Sequence, residues 1–284
     1  MKICRFEPGS GEARIGLFAE KSLLDLTRAG IKELATVLEA ADALDVLRQV
    51  GDLRLPQVPL EEIRLLPPLE GQEVWAAGVT YLRSKKARME ESDFSANAYD
   101  RVYEAERPEL FFKSLPEKVV ASGQAVGIRR DARWSVPEPE LALVLNSRGQ
   151  IAGYTIGNDM SSRDIEGENL LYLPQAKIYE GSCALGPWIT LGTPETEARQ
   201  WTIALRIERA GKDVFAGNTV VGNIKRRFEE LASFLFRSQK FPHGAILLTG
   251  TGIVPPDSFT LKEGDVVDIE ISGIGRLRNP VALV

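Results

Sequence analysis

The sequence predicts an α+β protein whose larger part is a mostly antiparallel β-roll or barrel. Many short apolar segments with strand character are separated by turn residues over most of the chain. Near the middle of the chain, two such segments flank the turn cluster Asn146–Gln150 and predict a β-hairpin. Helical spacing of apolar residues is confined to a few segments, which predicts helices added to a sheet-based core.

Residues 1–68 are predicted to form a small α/β N-terminal domain that ends near Pro67 and Pro68. It contains no residue pattern that indicates chemistry, so packing or assembly is its expected role. Its predicted elements are strands at 2–6 and 13–18, a helix within 31–50 and extended, proline-punctuated chain at 52–66.

Residues 69–284 are predicted to form the catalytic domain. Its charged segment 85–106 follows a strand end and predicts a solvated helix, with a lid over the site as the alternative. The remaining predicted elements are strands at 73–79, 107–113, 141–145, 151–156, 201–210, 244–254, 265–271 and 275–281, a helical turn at 161–169 and an amphipathic helix at 223–236.

Composition excludes several classes of protein. The net charge of −5 and the lack of a basic run argue against nucleic-acid binding, and no apolar stretch reaches the ~20 residues of a membrane helix. Cys4 and Cys183 are expected to be buried free thiols in a reducing cytoplasm, and the N-terminus lacks an apolar signal region. The single histidine, His243, lies in a Pro-Gly turn and is expected to be a surface residue without a catalytic role.

The predicted hairpin brings three carboxylates together. If its turn is the two-residue loop Arg148–Gly149, opposed residue numbers sum to 297, and Glu138 lies opposite Asp159. Glu140 shares a face with Glu138 because side chains alternate along a strand, and Gly157, opposite Glu140, is expected to leave space for a ligand.

Three carboxylates on one face need a counter-charge, since like charges directly opposed are destabilising. Oxygen-only ligands favour Mg²⁺, with Mn²⁺ or Ca²⁺ as alternatives. The opposite face, with Leu141, Leu143, Leu145, Ala152, Tyr154 and Ile156, is expected to be an apolar floor. A solvated acidic sheet end is the alternative interpretation, and a one-residue slip would move Asp159 to the other face.

From about Trp75 to the C-terminus, the sequence resembles the fumarylacetoacetate hydrolase family. The motifs that carry the resemblance are V-P-E-P-E-L-A-L-V, G-Y-T-I-G-N-D-M-S-S-R-D, P-Q-A-K, A-L-G-P-W-I and the C-terminal T-G-T-G. The resemblance implies that family's fold, and it implies that Glu138, Glu140 and Asp159 ligate a divalent metal. It also implies a homodimer or homotetramer.

Within that family, the segments R-P-E-L-F-F-K and G-E-N-L-L-Y-L-P-Q-A-K-I-Y resemble the members that dehydrate 2-keto-3-deoxy sugar acids. Glu109 and Lys177 are the candidate catalytic residues, and the candidate substrate-binding residues are Tyr81, Arg83, Ser84 and Thr251. Ser84 stands where hydrolases of the family carry a water-activating histidine. The plainer alternatives are a surface pair of Glu109 with Lys113 and a snorkelling Lys177.

The expected function is therefore Mg²⁺-dependent dehydration of a 2-keto-3-deoxy pentonate to a 2-keto semialdehyde. The substrate is a small-molecule 2-keto acid whose C3 proton becomes acidic when a metal polarises the C2 carbonyl. The alternatives are a C–C hydrolase of acylpyruvate or fumarylpyruvate type, an oxaloacetate decarboxylase, and a sugar-acid or metal-binding module without turnover.

Overall fold

The computed structural model describes residues 1–9, 11–51, 53–82 and 101–284. The strands are β1 (Lys2–Pro8), β2 (Arg14–Ala19), β3 (Ser22–Asp25), β4 (Gln57–Pro59), β5 (Ile63–Leu66), β6 (Glu73–Gly78), β7 (Glu109–Ser114), β8 (Val126–Ile128), β9 (Ser135–Val136), β10 (Pro139–Leu145), β11 (Ile151–Asp159), β12 (Ser161–Ser162), β13 (Cys183–Leu191), β14 (Thr202–Arg209), β15 (Lys212–Val220), β16 (Ala245–Leu248), β17 (Val266–Ile271) and β18 (Gly275–Leu283). The α-helices are α1 (Ala35–Leu38), α2 (Ala43–Gly51), α3 (Arg163–Glu168), α4 (Leu173–Lys177), α5 (Glu195–Ala198) and α6 (Phe228–Phe236).

The strands of the described residues form sheets of 11, five and two strands. The large sheet follows the order β4-β3-β2-β1-β13-β11-β10-β16-β6-β7, with β5 also paired to β1, and the second sheet follows the order β15-β14-β17-β18-β8. Most pairs are antiparallel, and β16 with β6 is a parallel pair. The predicted α+β class is confirmed, but the large sheet has edges at β4 and β7 and is not a closed barrel.

Both faces of the large sheet are buried, which explains why its central strands are continuously apolar. One face packs against the five-stranded sheet and α6, through residues such as Leu143, Ile203 and Phe228. The other face packs against residues of the N-terminal helices, such as Val37 of α1 and Leu47 of α2. Because two other layers cover the sheet, it buries its apolar faces without closing on itself.

The N-terminal strands belong to this same sheet. Lys2 pairs with Thr190 of β13, so the sheet continues from the first strand into the catalytic region. The boundary predicted at residue 68 stays a prediction. In the described part of the chain, no helix has the length and apolarity needed to cross a membrane.

Several predicted elements differ in extent from the observed ones. The helix predicted from residue 223 begins only at Phe228, because Arg227 has extended backbone angles (φ −74°, ψ 146°). The helical spacing within 31–50 becomes two short helices, α1 and α2. Of the segment 85–106, residues 85–100 lie outside the described residues, and residues 101–104 are helical.

Cys4 and Cys183 are both buried free thiols, as predicted. Burial raises the pKa of each thiol to about 12, which keeps both protonated and unreactive at neutral pH. His243 is exposed in the turn before β16, also as predicted.

Candidate metal centre and active site

The hairpin of β10 and β11 has the predicted register at its open end. Glu140 pairs with Gly157, and the backbone N–H of Asp159 donates to the carbonyl of Glu138 at 2.9 Å. Glu138, Glu140 and Asp159 therefore share one face of the hairpin, as strand alternation requires.

The turn of the hairpin differs from the prediction. The backbone N–H of Asn146 donates to the carbonyl of Gln150 at 3.0 Å, which leaves a three-residue loop closed by Gly149 at φ +75°. A β-bulge between Val144 and Leu145 then shifts the pairing by one residue and restores the predicted register. The two-residue loop was wrong, and the bulge compensates for it.

The same bulge moves Ala152 out of the predicted apolar floor. Leu141, Leu143 and Tyr154 pack in the core between the two large sheets, whereas Ala152 packs against the core on the opposite face. The extra residue of a bulge changes the alternation of side chains, which strict period-two counting cannot anticipate.

Three carboxylates converge at the open end of the hairpin. Glu138, Glu140 and Asp159 each offer one oxygen, and these oxygens all lie within 4.8 Å of one another. All three side chains are buried, with 4%, 1% and 1% of their surfaces exposed. The solvated acidic sheet end is therefore excluded, because these charges are not in contact with bulk water.

Three buried cations surround the triad. Lys113 lies 2.5 Å from Asp159 Oδ1, and Arg163 Nη2 lies 3.0 Å from Glu138 Oε1. Lys177 Nζ donates to Glu138 Oε2 at 2.9 Å and to Asp159 Oδ2 at 3.3 Å. These ion pairs compensate part of the cost of burying the carboxylates.

Glu140 is held by backbone rather than by one of these ion pairs. The N–H of Gly250 donates to Glu140 Oε2 at 2.5 Å, so the T-G-T-G turn binds a carboxylate of the protein itself. Burial, and then the charges of Asp159 and Glu138, raise the pKa of Glu140 well above its ordinary value. A cation bound between the three side chains would relieve that repulsion.

The space opposite Glu140 is filled. A Cβ at Gly157 would overlap Leu248 Cδ2, so the glycine makes room for a core leucine and not for a ligand, contrary to the prediction. Gly250 has φ +92°, and a Cβ there would overlap the hydroxyl of Thr80. Both glycines are required by close packing around the triad.

The triad opens into a small pocket. Glu109, Lys177 and Thr251 line this pocket together with the triad, as does Glu166. Val79 also lines it and has φ +54°, an uncommon conformation for a β-branched residue and one found at functional sites. One pocket thus combines a metal-suited triad, a lysine and two further carboxylates.

The predicted substrate-binding residues are only partly brought together. Thr251 lines the triad pocket, but its hydroxyl bonds its own turn at Ile253, 3.3 Å away. Tyr81 is buried and lines a neighbouring pocket instead, and burial, together with the charge of Glu140, raises its pKa. Arg83 and Ser84 lie outside the described residues.

The predicted surface alternatives for the two lysines are wrong. Lys113 is fully buried, pairs with Asp159 and donates to the carbonyls of Met160, at 3.0 Å, and Lys177. Lys177 is 1% exposed, so it does not snorkel to the surface. Lys113 and Glu109 lie on alternate positions of β7, which points both toward the site.

The sequence interpretation assigned no role to Arg163 or Glu166, although both are buried at the site. Both lie on α3, which follows the third carboxylate by only a few residues. Their spacing of three residues places them on neighbouring positions of one helix face. This spacing, close after Asp159 in the sequence, could have identified both residues as candidates for the site.

The donor set fits a hard divalent cation. Three carboxylates without histidine or cysteine suit Mg²⁺, Mn²⁺ or Ca²⁺ better than zinc, and their oxygens already lie within 4.8 Å of one another. Binding of such a cation is electrostatically favourable, because it offsets the repulsion between three buried like charges.

Comparisons with known proteins agree with this geometry. Residues 73–282 match the fumarylacetoacetate (FAA) hydrolase C-terminal family. A probable 2-keto-3-deoxyxylonate dehydratase of Haloferax volcanii is 42% identical, over 97% of each chain. A 2-dehydro-3-deoxy-D-arabinonate dehydratase of Saccharolobus solfataricus is 43% identical, over 80% of this chain and 77% of that protein.

A solved structure of similar fold is that of 2-keto-3-deoxy-D-arabinonate dehydratase complexed with magnesium and 2,5-dioxopentanoate. The two structures have a TM-score of 0.85 and 34% sequence identity, over 100% of this chain and 99% of that one. The likeness therefore includes the N-terminal strands as well as the region of the triad.

Proposed function

Because the chain belongs to the fumarylacetoacetate hydrolase family, we propose that it is a Mg²⁺-dependent dehydratase of a 2-keto-3-deoxy pentonate. The product would be the semialdehyde 2,5-dioxopentanoate, also called 2-oxoglutarate semialdehyde. The observation that carries the proposal is one pocket in which the buried triad lies beside Glu109 and Lys177. Similarity to two dehydratases of such pentonates supports the choice of reaction.

Glu138, Glu140 and Asp159 would hold the magnesium ion, as the closeness of their oxygens supports. When bound, Mg²⁺ supplies Lewis acidity that polarises the C2 carbonyl of the 2-keto acid and acidifies the protons on C3. Arg163 and Lys113 would keep the carboxylates in place through their ion pairs with Glu138 and Asp159. Lys113 is itself fixed by two backbone carbonyls.

Lys177 would bind the negative charge of the substrate. Its ammonium group is buried between Glu138, Asp159 and the hydroxyl of Ser161, which lies 2.5 Å away. In this position it can hold the carboxylate of the 2-keto acid or stabilise the enolate that forms at C2. Its burial strengthens such an interaction, since there is little water to screen it.

Glu109 would take the proton from C3. It is half-buried at the start of β7, and it lines the pocket without belonging to the triad. A carboxylate that does not ligate the metal keeps its basicity for proton transfer. Loss of the C3 proton and of the C4 hydroxyl then gives the dehydrated product.

The test is a direct assay of the purified protein. With Mg²⁺ and 2-keto-3-deoxyarabinonate or 2-keto-3-deoxyxylonate, 2,5-dioxopentanoate should form, and a chelator should abolish its formation. Acetylpyruvate serves as the control for C–C hydrolysis, because its cleavage is followed as loss of the enol absorption band. Absence of semialdehyde from both pentonates, or rapid loss of the enol band, would contradict the proposal.

A homodimer or homotetramer in the cytoplasm is the proposed state of the protein. This state is what the resemblance to the fumarylacetoacetate hydrolase family implies. Sedimentation of a clean species of 31.3 kDa, the mass of one chain, at micromolar concentration would reject the oligomer.

A further inference from the structure

Formation of the proposed product requires proton transfers at C3, C4 and C5. Loss of water across C3 and C4 of a 2-keto-3-deoxy pentonate leaves a C3–C4 double bond beside an alcohol at C5. The product 2,5-dioxopentanoate instead has an aldehyde at C5 and saturated carbons at C3 and C4. A proton must therefore also leave C5, and protons must return to C3 and C4.

Glu166 is positioned for this second set of transfers. It lies on α3 and is 3% exposed, yet it lines the triad pocket. Among the residues that the structure describes, Glu109 and Glu166 are the two carboxylates outside the triad that line this pocket. A buried carboxylate that reaches a substrate pocket is a candidate for proton transfer.

Glu166 and Glu109 also line a second, mostly apolar chamber together with Leu170 and Leu173. The two carboxylates thus stand where the triad pocket and the chamber meet. A substrate whose C1 and C2 lie at the triad would have C3 and C4 at this junction. Its C5 would then point toward the chamber.

We propose that Glu166 is the second proton-transfer residue, acting at C4 and C5, while Glu109 acts at C3. This inference rests on the proposed dehydratase function. It assigns separate proton transfers to two carboxylates, Glu109 and Glu166.

The first step removes water. Glu109 takes a proton from C3 reversibly, and the electrons of that C–H bond form the enolate of C2 and C3. The C2 carbonyl then re-forms, the enolate electrons make the C3–C4 double bond, and the C4–O bond breaks. Protonated Glu166 donates its proton to the departing hydroxyl oxygen, so water leaves. Glu109 is then protonated, and Glu166 is a carboxylate.

The second step moves hydrogen from C5. The carboxylate of Glu166 takes a proton from C5, and Glu109 returns its proton to C3, which leaves a C4–C5 enol. Glu166 then gives its proton to C4 and recovers one from the C5 hydroxyl, which completes the aldehyde. Both carboxyl groups end in their starting states, and no oxidant or reductant is needed.

The experiment separates the two roles by hydrogen exchange in D₂O. Glu166→Gln should lower formation of 2,5-dioxopentanoate by roughly 10²–10⁴-fold, the range for losing a general acid–base group, while NMR still shows deuterium entering C3. Glu109→Gln should lose both exchange and product. Glu168→Gln, at an exposed position of the same helix, is the matched control and should retain both.

Titration calorimetry with Mg²⁺ distinguishes proton transfer from a structural role. Glu166→Gln should bind Mg²⁺ like the wild type, whereas a residue that only positions the triad would weaken binding. If Glu166→Gln does not fold, Glu166→Asp takes its place, and product formation should fall more than exchange at C3.

Product formation within about tenfold of the wild type in either variant would overturn the inference. Equal loss of exchange and product, or weakened Mg²⁺ binding, would also overturn it. If instead the wild-type protein with Mg²⁺ forms no semialdehyde, the proposed function itself fails.

Discussion

The two ends of the β10–β11 hairpin are held by different kinds of contact. At the open end, Glu138 and Asp159 are buried among Lys113, Arg163 and Lys177. At the turn, the ion pair of Arg148 and Glu39 spans 3.1 Å, but its side chains are 49% and 30% exposed. Buried charges that lose a partner are strongly destabilised, whereas exposed pairs contribute little.

The predicted register is likewise right at one end of the hairpin and wrong at the other. At the open end, β11 pairs with β13 from Ile156 to Asp159 as well as with β10. At the turn, the loop takes an additional residue, and the bulge after Val144 absorbs it. The site is thereby separated from the geometry of the turn.

The largest expected effect comes from removing a buried cation at the open end. Lys113→Met should lower the free energy of unfolding of the metal-free protein by about 3–5 kcal/mol, because Asp159 loses a buried partner. Arg148→Met at the turn is the matched control and should cost about 0.2–1 kcal/mol. Urea denaturation measures both, and similar costs would contradict the contrast between the two ends.

Neutralising one carboxylate should weaken metal binding without changing the shape of the site. Glu140→Gln should lower the affinity for Mg²⁺ by more than about 10-fold, since even residues that only orient ligands are worth about 10–100-fold. Excess Mg²⁺ should restore part of the activity.

Glu109→Gln, the same substitution outside the triad, is the control. It should bind Mg²⁺ normally, and no amount of metal should recover its turnover. Normal Mg²⁺ binding by Asp159→Asn, or rescue of Glu109→Gln by metal, would show that the roles are wrongly assigned.

Adding one methyl group at either end of the hairpin tests whether the geometry of the turn affects the metal site. Gly157→Ala forces a Cβ against Leu248 beneath Glu140. It should cost about 1–3 kcal/mol of stability by overpacking and also lower Mg²⁺ affinity.

Gly149→Ala should cost about 1–2 kcal/mol, because its φ of +75° is unfavourable for alanine. It should leave Mg²⁺ affinity unchanged, since the bulge lies between the turn and the triad. Calorimetric titration checks both variants, and a loss of affinity in Gly149→Ala would mean that the turn does set the site.

The smallest expected effect is at His243, which lies in an exposed turn away from the triad pocket. His243→Asn should retain nearly all of the wild-type kcat/KM. A steady-state assay that shows a loss of more than about 100-fold, the scale of a general base, would give this residue a role in the chemistry.

The placement of Glu138, Glu140 and Asp159 on one face could be predicted from the sequence. Strand alternation and antiparallel pairing are local and periodic, so two carboxylates two residues apart and a third across the hairpin could be placed by counting. The count succeeded at the open end because the bulge restored the pairing that the turn had shifted.

The surroundings of that face come from segments far apart in the chain and could not be predicted from the sequence. Gly250 binds Glu140 although the two are 110 residues apart in the chain, and Lys113 reaches Asp159 from a strand that is not its neighbour in the sheet. Leu248 fills the space that Gly157 leaves. Such contacts depend on which strands and helices lie side by side in space, and no local pattern of residues encodes that choice.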